Sequence, residues 1–168
     1  AGFDLYAAAE GGRLEDEARR LGLEPAAGLD TAALYDLIFI HAVEPRLPRD
    51  RVVALMDYPA FVPCLARAGG RTRERWELYF RGIELANCYS EETSAEAVRA
   101  YFEAEGAAKE KAALVPHRID RDYWKIFLED AGGRPFPRCS GVALGLDRLL
   151  MALTGRSAID SVIPFPAF

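Results

Sequence analysis

Apolar positions fall into two regimes along the chain. Over the first fifty residues they recur at helical spacing: residues 14–23 mix Leu with Glu, Ala and Arg, and Ala26-Ala27-Gly28 then breaks the pattern. Asp30 stands before a second periodic stretch that stops near Glu44-Pro45, which makes it the expected N-cap. Beyond that the pattern alternates. Val52-Val53-Ala54-Leu55-Met56 reads as a buried strand leaving into a turn at Asp57-Tyr58-Pro59. Gly69-Gly70-Arg71-Thr72-Arg73 reads as a loop, 76–80 as a strand, Arg81-Gly82 as a two-residue turn and 83–89 as the return strand of a hairpin. Thr93 with Glu96 forms a capping box for a long helix over 93–113, weakened only at Gly106, and Asp120 is the expected cap of another helix ending at Gly132-Gly133. A strand near Ser140 and a helix over 146–153 stopped by Gly155 complete the series.

These elements predict an α+β fold: an antiparallel sheet built from the strands near Val52, Trp76, Ile83 and Ser140, flanked by helices. Residues 1–50 are expected to form a helical insertion and residues 51–168 the main domain.

The segment Cys139-Ser140-Gly141-Val142-Ala143-Leu144-Gly145-Leu146-Asp147-Arg148-Leu149-Leu150-Met151 carries the most chemical information. Gly141 and Gly145 remove side chains where a ligand or another backbone comes close, and Arg148 falls in the first turns of the following helix. A helix N-terminus and a guanidinium together suit a phosphate. A buried strand-turn-helix with packing glycines and a surface Arg148 accounts for the same pattern.

The hairpin adds a geometric point. With Arg81-Gly82 as the whole loop, Tyr79 pairs with Glu84, and alternation puts Glu77 on that same face. Two like charges so placed call for a cation between them, for which Mg²⁺ carrying phosphates is a suitable occupant; two solvated glutamates on an open face are the alternative.

Composition narrows the class without naming it. The chain has 168 residues, 51% hydrophobic and 28% charged, which is ordinary globular composition. A net charge of −5 speaks against broad nonspecific nucleic-acid binding. Cys64, Cys88 and Cys139 are odd in number and widely separated, which points to neither a disulfide framework nor a zinc site and fits a cytoplasmic setting. No apolar run approaches the ~20 residues that span a bilayer. His41 and His117 are isolated and receive no role. The arginines at 71, 73 and 75 are candidates for touching a nucleotide or partner, with ordinary solvation as the alternative.

Residues 139–151 resemble motif 3 of the class II aminoacyl-tRNA synthetases. Arg75-Trp76-Glu77-Leu78-Tyr79-Phe80-Arg81-Gly82-Ile83-Glu84-Leu85-Ala86-Asn87-Cys88-Tyr89-Ser90-Glu91 resembles the lysine-pocket segment of the lysyl-tRNA synthetases within that class. The resemblance is closest to a shortened branch of the family that modifies elongation factor P. It implies an ATP-dependent ligase that activates a lysine-type amino acid as its adenylate, with ATP and Mg²⁺ as cofactors. Glu77 and Glu84 would serve metal and ATP, Gly145 the nucleotide, and Arg148 the outer phosphates as the catalytic cation. Asn87, Tyr89, Glu91, Gly141 and Ala143 would surround the amino acid, with Glu91 facing the distal ammonium and Tyr89 walling the methylene stem.

Asn87, Tyr89 and Glu91 lie an odd number of residues from Glu84, so a β-bulge between Glu84 and Asn87 is expected if they are to share its face. Ala143, where lysyl-tRNA synthetases generally resemble this motif with glycine, tilts the implied substrate toward (R)-β-lysine and the acceptor toward a lysine of elongation factor P; α-lysine and tRNA-Lys are the alternative, and a noncatalytic nucleotide- or partner-binding module is a second. The family's motifs 1 and 2 have no match in residues 1–168, so the chain is expected to be the C-terminal part of a catalytic domain, inactive by itself, from a protein that is a homodimer at full length.

Overall fold

The computed structural model describes residues 2–112, 114–115 and 118–166. His117, and Ala113 at the expected helix end, lie outside them. The helices are α1 (Leu5–Glu10), α2 (Leu14–Arg20), α3 (Thr31–Ile38), α4 (Ala95–Ala112) and α5 (Leu146–Thr154). The strands are β1 (Val53–Pro59), β2 (Ala68–Gly69), β3 (Thr72–Phe80), β4 (Ile83–Ser90) and β5 (Ser140–Leu144). They form one antiparallel sheet in the order β1-β3-β4-β5, with β2 paired to β3, and helices flank it in the α+β arrangement expected. The chain divides into two compact units, one of Ala1–Met56, Trp76–Asn87 and Ala143–Phe168 and the other of Asp57–Arg75 and Cys88–Val142.

In the first unit the helical periodicity of the opening residues is cashed out as a small core. Leu14 and Ala18 of α2 face Leu34, Ile38 and Ala42, with Ala8 of α1 between them, all buried. The i, i+4, i+8 spacing of Leu34, Ile38 and Ala42 keeps one stripe inward even though the helix widens into a π-helical turn over Phe39–Val43. Asp30 caps α3 as expected, its Oδ1 accepting the Ala33 N–H at 2.8 Å. Asp4 caps α1 in the same way, a helix the pattern did not single out.

The hairpin is also as expected: β3 ends at Phe80, β4 begins at Ile83, and both loop residues have positive φ, 55° at Arg81 and 77° at Gly82. This backbone matches the right-handed twist of the strands it joins. Glycine adopts it freely; Arg81 does so at a cost, with its guanidinium 5.4 Å from the Phe80 ring centroid.

Four boundaries differ from the sequence reading, each for a local reason. The segment read as a loop over 69–73 is a tight hairpin, with Gly69 opposite Thr72 and Ala68 opposite Arg73, closed where Gly70 takes φ +79°. The turn expected at Asp57-Tyr58-Pro59 is instead a continuation of β1 containing one left-handed residue, Asp57 at φ +59°. Helix α4 is capped one residue later than the Thr93 box, by Ser94 Oγ accepting the Ala97 N–H at 3.2 Å, while Glu92 accepts the Ser94 N–H. The helix expected after Asp120 is a short 3₁₀ turn, Tyr123–Phe127. Asp120 Oδ1 takes the Asp122 N–H at 2.8 Å, a local bond that competes with helix, and the rings of Phe102, Tyr123, Phe127 and Phe136 pack in series, tilted or edge-on, at centroid distances of 4.7–5.8 Å.

Gly106, the weak point of α4, has a packing reason: a Cβ there would lie 2.7 Å from Ile119 Cγ2. Replacing the α3 cap should expose the local energetics. Asp30→Ala is expected to cost about 1 kcal/mol in denaturant unfolding through the orphaned Ala33 N–H; an unchanged midpoint would show that the cap contributes nothing.

Candidate functional site

The first unit gathers charged groups around Tyr79. Glu77 and Tyr79 are alternate residues of β3 and so share a face; Tyr79 is 2% exposed, Glu77 6%, and the phenol donates a 2.9 Å hydrogen bond to Glu77 Oε2. Burial is the main cause holding the Tyr79 phenol far above its ordinary pKa, followed by its bond to Glu77 and the charges of Glu77, Glu44 and Glu84. Three carboxylates therefore act on one buried hydroxyl. Glu44, at the end of the widened helical turn, escaped the sequence reading, because nothing in its local pattern says that the chain returns to β3.

Arg148 answers that negative charge. It lies in the first turn of α5, and its Nη1 donates to both the main-chain oxygen and Oε2 of Glu84, each at 3.3 Å. The helix is set against β4 by the Gly145 N–H, which donates to Leu85 O at 2.9 Å. Gly145 is the N-cap of α5, so the N–H groups at the helix start that lack an intrahelical partner belong to the residues that follow it. Gly145 also has φ −78°, and a Cβ there would meet only Arg148 side-chain carbons at 3.4–3.6 Å. Neither backbone strain nor a neighbouring protein atom requires glycine at this position.

The second unit contains Tyr89, Glu91 and Gly141. A Cβ on Gly141 would lie 2.7 Å from Glu91 Oε1, so the absent side chain makes the space the carboxylate occupies. The Glu91 N–H is tied to Cys139 O at 3.0 Å and its backbone bridges to Ala66. Burial pushes the Glu91 carboxyl above its usual value. Burial, then the charges of Glu91, Cys64 and Tyr123, raise the Tyr89 phenol, with Arg75 opposing.

The bulge is expected in β4, between Glu84 and Asn87. In the first unit Leu85 O accepts from the Gly145 N–H, and in the second the Glu91 N–H donates to Cys139 O. Leu85 and Ala86, adjacent in sequence, are both buried at 4%, which breaks simple alternation where the bulge was expected. Ala143 is exposed, and Asn87 is half-buried.

The arginines at 73 and 75 both make contacts within the second unit. Arg73 donates to Ala66 O and Ala60 O at 3.3 and 3.1 Å, and the Arg75 guanidinium lies 4.5 Å from the Tyr58 ring centroid. Among the described residues, no three or more His, Cys, Asp or Glu are grouped to hold a metal ion, and no helix is long and apolar enough to cross a membrane. Glu77 and Glu84 are hard oxygen donors acting on the same phenol. Mg²⁺ is commonly held by one or two carboxylates together with substrate phosphates, so this pair fits a metal brought in on a nucleotide and not an all-protein cage.

The chain belongs to the class II tRNA synthetases (D, K and N), whose family profile matches residues 46–168. Among curated proteins it is 36% identical over 167 residues to the elongation factor P–(R)-β-lysine ligase of Avibacterium paragallinarum, covering 98% of this chain and 50% of that protein. To the ligase of the same name from Yersinia enterocolitica it is 37% identical, covering 94% and 49%, and to that of Vibrio cholerae 38% identical, covering 91% and 47%. The chain thus spans about half the length of the curated relatives it matches.

Two substitutions test the second cluster. Because the group in the way is the tip of a flexible side chain, Gly141→Ala should cost about 1 kcal/mol or less while displacing the Glu91 carboxylate, as a crystal structure of the variant would reveal; an unmoved carboxylate would refute the account. For Glu91→Gln the sign follows from the raised pKa. Below the ordinary carboxyl value Glu91 is neutral folded or unfolded, and the variant should match the parent; above the raised value the folded state alone bears a desolvated charge, so the variant should be the more stable. Thermal melts at pH 3.5 and pH 8 check this.

Proposed function

We propose that the protein containing this chain activates a lysine-type amino acid with ATP and transfers it to a lysine side chain of elongation factor P, within the lysyl branch of its family. The observation that carries the reading is Glu91: a partly buried carboxylate over a glycine, its pKa raised by burial, two residues along the chain from Tyr89. A primary ammonium pairs with such a carboxylate, and an aromatic ring suits the methylenes behind it. The names of the matched relatives specify (R)-β-lysine and elongation factor P.

The reaction proceeds in two steps. The amino-acid carboxylate attacks the α-phosphorus of ATP, forming the acyl-adenylate and releasing pyrophosphate; the acceptor amine then takes the acyl group and AMP leaves. Mg²⁺, when bound, neutralises phosphate charge and orients the leaving group. Glu77 and Glu84 are the residues assigned to hold it. Arg148 is assigned to the outer phosphates, exchanging its contacts with Glu84 for contacts with the departing pyrophosphate, whose growing charge it stabilises. Glu91 and Tyr89 orient the amino acid, joined by Asn87, Gly141 and Ala143. None of these residues becomes covalently bound to substrate, so catalysis is positioning and charge stabilisation. The activity is assigned to the whole protein, since residues 1–168 offer no match to the family's α-phosphate arginine and span about half of the relatives.

The full-length protein should release pyrophosphate from ATP faster with (R)-β-lysine than with α-lysine, and mass spectrometry should find elongation factor P heavier by one acyl group. Arg148→Ala should slow adenylate formation by about 10²–10³-fold. Preference for α-lysine with charging of tRNA would put the protein with the synthetases instead, an acceptor consistent with the matched family profile; nucleotide binding without turnover would make it a binding module.

A further inference from the structure

The Tyr79 hydroxyl has no place in the activity proposed above, yet it touches a residue that does. Hydroxyls buried to this degree find acceptors, and most do so on the main chain or another neutral group. This one donates to the carboxylate of Glu77, at 2.9 Å and with both residues almost wholly enclosed. A carboxylate with its Oε2 held by a buried donor is restricted in orientation, and a phenol provides that hold without itself bringing a positive charge. The backbone reinforces the arrangement: Glu77 and Tyr79 are alternate positions of one strand, so their side chains stand on one face with a spacing that the pleat sets. The hairpin turn two residues further on then brings β4 back with Glu84, whose charge also acts on the phenol.

We propose that Tyr79 is the positioning residue for Glu77: its hydroxyl holds Oε2 so that the carboxylate meets a divalent cation carried by a nucleotide. The inference rests on the reading of Glu77 as a metal-binding residue. Tyr79 touches no substrate atom. It acts through Glu77, as the hydrogen-bonded neighbours of metal-ligating carboxylates do elsewhere, where loss of such a partner typically lowers metal affinity or activity about 10–100-fold.

Tyr79→Phe removes one oxygen and keeps the ring that fills the buried space. The experiment uses the full-length protein and Mn²⁺ as a paramagnetic probe, titrated by electron spin resonance in the presence of a non-hydrolysable ATP analogue, together with steady-state kinetics as a function of Mg²⁺. The expected result is an Mn²⁺ dissociation constant about 10-fold or more higher in Tyr79→Phe, with the Mg²⁺ concentration for half-maximal rate raised in parallel and the KM for the amino acid unchanged. In a Glu77→Gln background the same substitution should have no further effect on Mn²⁺ affinity, since the group it positions is gone. Equal Mn²⁺ affinity in wild type and Tyr79→Phe, or an equal loss in both backgrounds, would overturn the proposal. A Tyr79→Phe protein that fails to fold would overturn it too, making the hydroxyl a structural group. If the wild type itself binds no Mn²⁺ with the nucleotide analogue, the failure lies with the nucleotide reading of Glu77 and Glu84, a result distinct from equal binding by the two proteins.

Discussion

The two-residue turn at Arg81-Gly82 is the constraint on which the charged cluster depends. Because both turn residues take positive φ, the strands leave it with the twist of the sheet and without slack, and the facing of every side chain on β3 and β4 near the turn follows. One more residue in this loop would shift the register and send Glu84 to the opposite face from Tyr79. The turn therefore determines that Glu77, Tyr79 and Glu84 belong together, and the bond from Gly145 to Leu85 then brings Arg148 onto Glu84. A buried phenol among carboxylates would be unfavourable if it had to ionise; held neutral, it serves as a donor.

The two glycines of the 139–151 segment have different physical meanings despite their similar appearance in the sequence. Gly141 is space: the Glu91 carboxylate fills the volume that a methyl would take. Gly145 is a junction, its N–H pairing with β4 just as the helix begins, at a φ any residue can adopt. The Gly145 N–H pairs with the sheet, and the N–H groups at the start of α5 that lack an intrahelical partner are those of the residues after it. The segment also delivers Arg148, on the first turn of a helix anchored at its start.

Much of this was legible in the chain. Alternation from Trp76 to Tyr89 around a turn dipeptide marked the hairpin, because strand period and turn chemistry are local properties. The helical spacing of Leu34, Ile38 and Ala42 and the cap at Asp30 were equally local. The misses share a cause. Thr93 and Ser94 are both competent caps, and the bond from Glu92 to the Ser94 N–H favours the later start. Asp120 looked like the start of a helix, but a bond to its own neighbourhood and a run of tilted and edge-on rings won instead. The contacts of the arginines at 73 and 75, to carbonyls of Ala60 and Ala66 and to the ring of Tyr58, join segments that no local pattern links.

By itself the sequence determined which residue types were to hand: paired glutamates across a tight hairpin, a glutamate and tyrosine on the return strand, and an arginine after a glycine-rich strand, in an order characteristic of its family. It did so because alternation, turn preference and capping act over a few residues, where the chain is its own ruler. Only the tertiary structure decided what those groups do to one another. The addition of Glu44 to the charge around Tyr79, the grip of Arg148 on Glu84 from 64 residues away, and the seating of Glu91 over Gly141 depend on distances between segments remote in sequence. Electrostatic and steric interactions are set by those distances and by burial, neither of which a local pattern contains.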